Sequence, residues 1–376
     1  MSVSANPNHT KILIAGGGTG GHIYPGIAIA RAIQKIKSDS LVEFVGSSQG
    51  LETKIIPREG FPLHLIPVGK LNFSGQWVEK LKTVFQLPWS LVKTLLLLLR
   101  SKPNVVIGVG GYASGPVVLM ASMLGIPTAI WEPNAHPGLT NRWLSRCVDI
   151  AFVVFDQAKE FLSCRQIQTV GLPVRAELES SAKIKSSAPA EIQSPRKFHV
   201  LIFGGSQGAR AINHIVTQAL HQNSEILKDV EIVHQTGPHD FEQASRLYAG
   251  LPVQGAKAFE FLYDMHDRYA WADLVFCRAG ASTVAELAAV QKATVFIPLP
   301  WAADDHQRKN AQTLVDAQAA ECIVQKEFTP QVFVDRIRHY QKHPEEIQKM
   351  EMNIQQFYKA RSADTIAEKL IEMSSS

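Results

Sequence analysis

Two strand–glycine turn–helix units, one in each half of the chain, constrain its fold more than any other feature. Residues 12–31 read ILIAGGGTGGHIYPGIAIAR, an apolar strand followed by a glycine-rich turn and a helical pattern. Residues 200–210, VLIFGGSQGAR, open the second half in the same way. Such turns let backbone N–H groups approach an anion at the positive end of the following helix. One match to G-x-G-x-x-G is a weak signal, but its repetition predicts two Rossmann-type α/β layers in tandem.

The order of apolar runs predicts a parallel sheet in each half. Short apolar runs alternate with helical segments on both sides of residues 179–197, a polar stretch that is predicted to be a loop. A chain of 376 residues is also longer than one hydrophobic core usually grows. We therefore predict two domains, residues 1–175 and 176–376, with a terminal helix able to pack back on the first. Ligands of such sheets bind at the carboxyl ends of the strands, so the expected site is a cleft between the domains.

The composition argues against several other classes of protein. The formal net charge of +4 suits an anionic partner but is too small to indicate nucleic acid. The four cysteines lack C-x-x-C spacing, which argues against a zinc site or a disulfide framework and suits a reduced, cytosolic protein. The N-terminus has no apolar signal region, and the longest apolar stretch, residues 87–99, is shorter than the roughly 20 residues of a transmembrane helix. The sequence therefore predicts a protein that is not integral to a membrane.

The first glycine turn lacks the acidic partner expected of a dinucleotide site. In such sites an Asp or Glu at the end of the second strand binds the ribose hydroxyls. Here that strand ends in residues 45–48, VGSS, and Glu43 comes two residues too early. Close packing of strand against helix would explain the glycines of a single turn. A further turn at residues 110–116, GGYASGP, favours a ligand cleft instead.

His22 is the candidate general base. It lies where the first glycine turn becomes a helix, and the positive end of that helix disfavours the protonated imidazole. A neutral imidazole accepts a proton near pH 7. The alternative is a capping or hydrogen-bonded structural histidine.

A second helix start, residues 281–286, is predicted to bind an anion. It follows a strand and contains small residues and hydroxyls, and Glu286 is placed either to reach a ribose or to cap the helix. Residues 304–310, DDHQRKN, predict a pocket lip or a helix N-cap. The sequence has no D-x-D triplet, Walker lysine, G-x-S-x-G elbow or H-E-x-x-H motif. Helix N-termini and Arg175, rather than a metal, would therefore stabilise a departing diphosphate.

Residues 75–100 predict a long helix that Pro88 kinks or splits. Aromatic and basic residues are interleaved in this region, and the pattern fits two interpretations equally. One is a core helix, and the other is a surface patch that settles on anionic lipid. The residues of the predicted membrane patch are Phe73, Trp77, Lys80, Lys82, Phe85 and Trp89.

Six motifs in order carry a resemblance that covers the chain from about residue 11 to its end. They read AGGGTGGH, GVGGYASGP, EPNAHPGLTN, FGGSQGARAIN, CRAGASTVAEL and DDHQRKNA. Together they resemble the MurG family, the peripheral-membrane N-acetylglucosaminyltransferases that convert lipid I to lipid II in peptidoglycan synthesis.

The resemblance implies a GT-B fold, with two Rossmann-like domains whose parallel sheets face a deep cleft. It implies an inverting transfer from UDP-N-acetylglucosamine to lipid I, the undecaprenyl-pyrophosphoryl-muramoyl-pentapeptide acceptor, with no cofactor and no metal. The implied partners are these two substrates, an anionic membrane surface and other proteins of cell-wall synthesis and division, but no nucleic acid. The implied location is the cytoplasmic face of the inner membrane.

The resemblance also assigns roles by motif. Asn134 would contact the sugar, Arg175 and Ser206 the phosphates, and the backbone of Leu262 the uracil. The helix start at residues 281–286 would bind phosphates and ribose, and the 304–310 motif the sugar hydroxyls. The acceptor-side residues are Thr19, Gly20, Gly21, His22 and Tyr112. The donor-binding residues are Asn134, Arg175, Ser206, Leu262, Ala281, Ser282, Thr283, Val284, Ala285, Glu286, Gln307 and Asn310.

One motif departs from the family. Where the family commonly has His-Glu-Gln-Asn, this chain has Trp-Glu-Pro-Asn at residues 131–134. The role of that histidine therefore falls to His22 or Glu132, which are the two candidate catalytic residues. Open alternatives are another GT-B glycosyltransferase, a non-hydrolysing UDP-sugar epimerase, and a non-catalytic nucleotide-binding protein associated with membranes.

Overall fold

The computed structural model describes residues 10–18, 20–48, 50–68, 77–173, 196–205 and 207–375, without the side chains of residues 77–87 and 303. The chain divides into two compact units, Met1–Val174 with Lys359–Ser376, and Arg175–Tyr358. The predicted domain boundary at residues 175 and 176 lies outside the described residues, as does most of the predicted loop at 179–197.

The first unit is built on a seven-stranded parallel sheet with strand order β3-β2-β1-β4-β5-β6-β7. The strands are β1 (Lys11–Gly16), β2 (Leu41–Ser47), β3 (Leu63–Ile66), β4 (Val105–Gly110), β5 (Thr128–Glu132), β6 (Ile150–Val153) and β7 (Gln166–Thr169). The helices are α1 (Gly20–Ile36), α2 (Glu52–Arg58), α3 (Trp77–Ser101), α4 (Ser114–Met123), α5 (Leu139–Leu144) and, at the end of the chain, α13 (Ser362–Met373).

Helices cover both faces of this sheet, which explains why its strands read as continuous apolar runs. Leu13 and Ala15 of β1 lie in one core with Val117 of α4. Ile14 points the other way, toward Gly26 of α1. The C-terminal helix α13 also packs on α1, where Lys35 Nζ lies 3.8 Å from Asp364 Oδ2.

The second unit repeats the plan with a six-stranded parallel sheet of order β10-β9-β8-β11-β12-β13. Its strands are β8 (Phe198–Phe203), β9 (Val230–Gln235), β10 (Ala256–Phe259), β11 (Leu274–Cys277), β12 (Thr294–Phe296) and β13 (Glu321–Cys322). Its helices are α6 (Arg210–Gln222), α7 (Phe241–Ala249), α8 (Met265–Trp271), α9 (Ala281–Val290), α10 (His306–Asp316), α11 (Pro330–Lys342) and α12 (Pro344–Ile354). The predicted fold of two Rossmann-like domains with parallel sheets is confirmed.

Two local predictions differ from the structure. From the sequence a strand is expected near residues 253–255, but it lies just after them at β10, whose register with β9 begins at Ala256. Helix α3 is not split, since it runs through Pro88 to Ser101. A proline inside a helix removes one backbone hydrogen bond, and this helix continues on both sides of the loss.

Candidate active site

The glycine turns after β1 and β4 touch each other at one edge of the first sheet. We call them the β1 turn (residues 16–21) and the β4 turn (residues 110–116). The two strands are neighbours, so the turns at their carboxyl ends meet, and Gly17 N donates a hydrogen bond of 3.3 Å to Gly110 O. A Cβ added at Gly111 would overlap the Gly17 backbone, and Gly111 has a φ of +83°. These glycines allow the two backbones to approach each other.

His22 is held at this junction by a backbone carbonyl. It is the third residue of α1, and its Nδ1 lies 3.0 Å from Val109 O. A carbonyl oxygen only accepts hydrogen bonds, so Nδ1 carries the proton and donates. In the neutral ring Nε2 then carries the lone pair and is the proton acceptor. The first turn of α1 contains no acidic residue.

The other predicted acceptor-side residues lie around the same edge. Gly20 and Gly21 begin α1, and Gly21 is exposed. Tyr112, in the β4 turn, is 42% exposed. Thr19 lies outside the described residues. The structure therefore brings the described members of this group together at the carboxyl ends of β1 and β4.

A carboxylate that the sequence reasoning missed lies against the β1 turn. Glu52, the first residue of α2, is fully buried, and its Oε2 accepts a hydrogen bond of 2.7 Å from Gly18 N. Its Oε1 accepts bonds of 2.9 Å and 2.8 Å from the N and Oγ of Ser47. Glu52 lies at the start of the helix that follows β2, not at the end of β2 where a dinucleotide site has its acid, and its oxygens bond to the turn itself. The signal that could have revealed it is a glutamate two residues after the glycine at residue 50.

Glu132, the second candidate catalytic residue, is enclosed by hydrogen-bond donors at the end of β5. It is 2% exposed, and its two oxygens accept hydrogen bonds from Asn134 N, Asn134 Nδ2, Gly138 N and Asn141 Nδ2. Burial raises the pKa of this carboxyl, against the lowering effect of those donors. The arrangement makes Glu132 the structural centre of the loop after β5 and orients Asn134. The neighbouring Trp131 is fully buried.

The glycine turn after β8, residues 204–208, interlocks with the end of β9. We call it the β8 turn. Gly208 has a φ of +74°, and a Cβ added there would overlap the carbonyl of Thr236. Gly237 approaches the Gln207 backbone in the same way. Ser206, the predicted phosphate contact in this turn, and Arg175 both lie outside the described residues.

Gln235 joins this turn to the predicted uracil loop. Its Nε2 donates 2.9 Å to Gly205 O, and its Oε1 accepts 2.9 Å from Leu262 N. Both Gln235 and Leu262 are buried. The Leu262 N–H is therefore already bonded within the chain, and a uracil contact through that N–H would compete with Gln235. The sequence reasoning did not single out Gln235.

Helix α9 begins as predicted for an anion site. Its N-cap Gly280 is extended and, as a glycine, has no side chain to cap the first turn. Ala281, Ser282 and Thr283 are half-buried, whereas the side chains of Val284 and Ala285 are buried in the core. Those two residues can therefore contribute only backbone groups to a ligand.

Two further side chains shape this end of the second sheet. The carboxylate of Glu286, one turn into α9, accepts a 3.0 Å hydrogen bond from the buried Tyr269 hydroxyl. Arg278, just before α9, is 8% exposed and donates to the carbonyls of Ile297 and Pro298 and to Gln325 Oε1. Burial lowers the pKa of this guanidinium to about 10. The sequence reasoning had not assigned a role to Arg278.

The two predicted sugar-binding residues of α10 differ from each other. Gln307 is half-buried, and its Oε1 accepts a hydrogen bond of 3.1 Å from Leu299 N. Asn310 is fully buried, and its Nδ2 donates 3.3 Å to Ala279 O. Asn310 thus contacts the loop before α9, and its predicted contact with the sugar stays a prediction.

Only part of the predicted membrane patch can be described. Phe73 and the side chains of Trp77, Lys80, Lys82 and Phe85 lie outside the described residues. Trp89 is 57% exposed, and Lys93 Nζ lies 5.6 Å from the centroid of its ring. Among the described side chains of α3, Val92, Leu96 and Leu99 are also exposed. Across the portion of the chain that the structure describes, no helix has the length and apolar character needed to cross a bilayer.

Comparisons with known proteins agree with this arrangement. Residues 12–153 match the glycosyltransferase family 28 N-terminal domain, and residues 199–367 match the C-terminal domain of the same family. These two matches, together with two parallel α/β units that each begin with a glycine turn, define a family 28 glycosyltransferase of the GT-B fold.

Comparisons with individual proteins identify the family within this class of glycosyltransferases. The chain is 48% identical to a UDP-N-acetylglucosamine--N-acetylmuramyl-(pentapeptide) pyrophosphoryl-undecaprenol N-acetylglucosamine transferase of Bdellovibrio bacteriovorus, over 96% of this chain and 99% of that protein. A crystal structure of MurG from Acinetobacter baumannii is similar with a TM-score of 0.79 and 29% identity, over 96% and 99% of the two chains. The chain belongs to the MurG family, which confirms the resemblance carried by the six motifs. A UDP-GlcNAc 2-epimerase from Neisseria meningitidis, 12% identical with a TM-score of 0.65 over 96% and 100% of the chains, shares the fold alone.

Proposed function

We propose that the chain transfers N-acetylglucosamine from UDP-N-acetylglucosamine to the muramoyl 4-hydroxyl of lipid I, with inversion, and so forms lipid II. The observation that carries the mechanism is the hydrogen bond between His22 Nδ1 and Val109 O, which leaves Nε2 as the proton acceptor at the start of α1. The name of the relative from Bdellovibrio bacteriovorus supports the choice of donor and acceptor.

The reaction is a single displacement. His22 Nε2 accepts the proton of the acceptor 4-hydroxyl while the oxygen of that hydroxyl bonds to the anomeric carbon of N-acetylglucosamine. The bond between that carbon and the UDP oxygen lies on the opposite face of the carbon. It breaks as the new bond forms, and UDP leaves with the electron pair. Attack opposite the α-linked leaving group produces a β-glycosidic bond.

The second unit supplies the donor site in this proposal. The N-terminus of α9, with Ser282 and Thr283, binds the diphosphate, because its first N–H groups lack partners within the helix and its N-cap, Gly280, has no capping side chain. Glu286 binds the ribose hydroxyls, and Gln307 the sugar. Arg175 and Ser206 remain predicted phosphate contacts. Stabilisation of the leaving diphosphate by helix dipoles and these donors requires no metal and no cofactor.

The membrane is the proposed location of the acceptor. The exposed apolar residues of α3, with Lys93 and Arg100 beside them, form a face suited to an anionic lipid surface. We place the enzyme at the cytoplasmic face of the inner membrane, where other proteins of cell-wall synthesis and division are candidate partners.

One assay tests the proposed function. The full chain is incubated with UDP-N-acetylglucosamine and a lipid I analogue, and UDP release is measured with each substrate alone and with both. Release that requires both substrates is the expected result. Release without the acceptor would indicate hydrolysis or epimerisation, and binding without any release would indicate a non-catalytic protein.

A further inference from the structure

The β1 turn already contains an anion of its own. The buried Glu52 carboxylate accepts hydrogen bonds from Gly18 N, Ser47 N and Ser47 Oγ. These three partners are all donors, an arrangement suited to the ionised carboxylate, and hydrogen bonds to a charged acceptor are stronger than neutral ones.

The glycines around Glu52 provide the space that this carboxylate fills. A Cβ added at Gly17, Gly46 or Gly50 would overlap the Glu52 side chain. At Gly18, which has a φ of +90°, an added Cβ would meet no atom of the described residues within 4 Å. The turn is therefore closed on the side of Glu52 and open on the other.

The position of this charge affects what else the turn can bind. Backbone N–H groups of a glycine turn ordinarily approach a phosphate. Here the Gly18 N–H is bonded to a carboxylate, and a phosphate at that depth would face a like charge in a poorly solvated place. The start of α1, where His22 lies, is further along the same turn and contains no acid.

We propose that Glu52 is a positioning and specificity residue. Its charge excludes free diphosphates and nucleotides from the inner part of the β1 turn. It thereby keeps the diphosphate of the acceptor at the start of α1, beside His22. This inference rests on the proposed function, because it assumes an acceptor that carries a diphosphate.

The test is steady-state kinetics of Glu52→Gln in the full chain, with a lipid I analogue as acceptor and inorganic pyrophosphate as inhibitor. Without the charge, the acceptor gains a second, inward binding mode that is unproductive. Such a mode lowers kcat and the acceptor KM by the same factor, about tenfold for the loss of one charged hydrogen-bonding group, while kcat/KM and the donor KM stay nearly unchanged. Pyrophosphate should then compete with the acceptor with an inhibition constant about tenfold lower than in the wild type.

The matched control is Glu43→Gln. Glu43 also accepts hydrogen bonds from the side chains around it, those of His64 and Ser101, and forms an ion pair with Lys11. Its substitution should leave kcat, the acceptor KM and the inhibition constant of pyrophosphate as in the wild type. A raised acceptor KM in Glu52→Gln, or unchanged pyrophosphate inhibition, would show that Glu52 only supports the fold and would overturn the inference.

Two additions keep the test decisive. If Glu52→Gln does not fold, Glu52→Ala, which also removes the charge and leaves the Gly18 N–H without its carboxylate partner, should change the same constants in the same direction, and wild-type values would refute the inference. If the wild type transfers no sugar, calorimetry of pyrophosphate binding in saturating UDP still compares the variants. Tighter binding to Glu52→Gln supports the role of Glu52 in excluding anions, and equal binding contradicts it.

Discussion

At the scale of single residues, the proposed chemistry depends on which ring nitrogen of His22 carries the proton. The Val109 carbonyl decides this, because it can only accept a hydrogen bond from Nδ1. Glu132 was the other candidate base, and the four donors around its oxygens give it a structural role. The proposal therefore places the proton transfer on His22 alone.

Substitution of His22 by alanine should slow the reaction strongly. The loss of a positioned general base costs on the order of 10²- to 10⁴-fold in rate. We expect kcat of His22→Ala to fall in that range while the KM for UDP-N-acetylglucosamine stays nearly unchanged, as measured by coupled detection of UDP. His221→Ala, an exposed histidine of α6, serves as the control. Near-normal turnover of His22→Ala would contradict the mechanism.

At the scale of elements, the glycine turns bring backbones together that side chains would separate. The β1 and β4 turns touch through Gly17 and Gly111, and the β8 turn meets the end of β9 through Gly208 and Gly237. Each turn lies at the carboxyl end of a strand, so its position follows from the sheet and its shape from the missing Cβ atoms.

The β8 turn offers a matched pair of glycines for a test. Gly205 and Gly208 both have positive φ angles, +93° and +74°, but only at Gly208 would a Cβ overlap another backbone. Gly208→Ala should therefore weaken UDP binding at least tenfold, whereas Gly205→Ala should cost only about 1 kcal/mol of stability from its backbone conformation. Calorimetric titration with UDP and urea unfolding measure the two effects. Equal UDP affinities of the two variants would show that the interlock is not needed for donor binding.

The exposed apolar face of helix α3 predicts that the protein binds measurably to anionic membranes. Replacing Leu96 with glutamate puts a charge on its exposed apolar face, where Trp89 and Leu99 are also exposed. Loss of one buried leucine is worth about 1.5–3 kcal/mol, so co-sedimentation with anionic vesicles should weaken roughly tenfold or more. Met352→Glu, at an exposed position of α12, is the control and should bind vesicles as the wild type does. Binding of Leu96→Glu at the wild-type level would refute the proposed lipid contact of α3.

At the scale of the whole molecule, each unit has its own core, and that of the second unit encloses a polar network. The buried His234 has its Nε2 3.0 Å from Asn213 Oδ1 and its Nδ1 2.7 Å from the Tyr248 hydroxyl. The Nδ2 of Asn213 donates to Thr236 O and to Asp240 Oδ2, so the amide oxygen faces the ring and Nε2 carries the proton. Burial lowers the pKa of His234 to about 3.

This network predicts how stability depends on pH. Below the ordinary histidine pKa of about 6.5, the unfolded chain binds a proton that the folded His234 does not, so stability falls as the pH drops. The contribution of His234 is about 1.4 kcal/mol for each pH unit between 6.5 and 3. Urea unfolding of the wild type and His234→Gln at several pH values should show a shallower loss of stability in the variant. Parallel curves would show that His234 does not titrate differently on folding.

Much of the fold followed from local patterns, and the exceptions have physical causes. Buried parallel strands read as apolar runs, and helix starts are marked by glycines and small polar residues, so most elements were predictable. The start of β10 was displaced from the expected position because it is set by the register with β9, which pairs residues distant in the sequence. Glu52, Gln235 and Arg278 were missed for the same reason, since their partners lie far away in the sequence.

The sequence by itself determined the class of the protein, because its ordered glycine motifs and alternating elements are local features, each readable within about ten residues. The tertiary structure decided the chemical state of the residues in those motifs. It showed that the Val109 carbonyl orients His22 and that Glu52 accepts the hydrogen bond of the Gly18 N–H. It also showed that Glu132 and Asn310 are buried. Proton positions, burial and charge depend on neighbours that only folding brings together, and this is why they were not readable from the motifs.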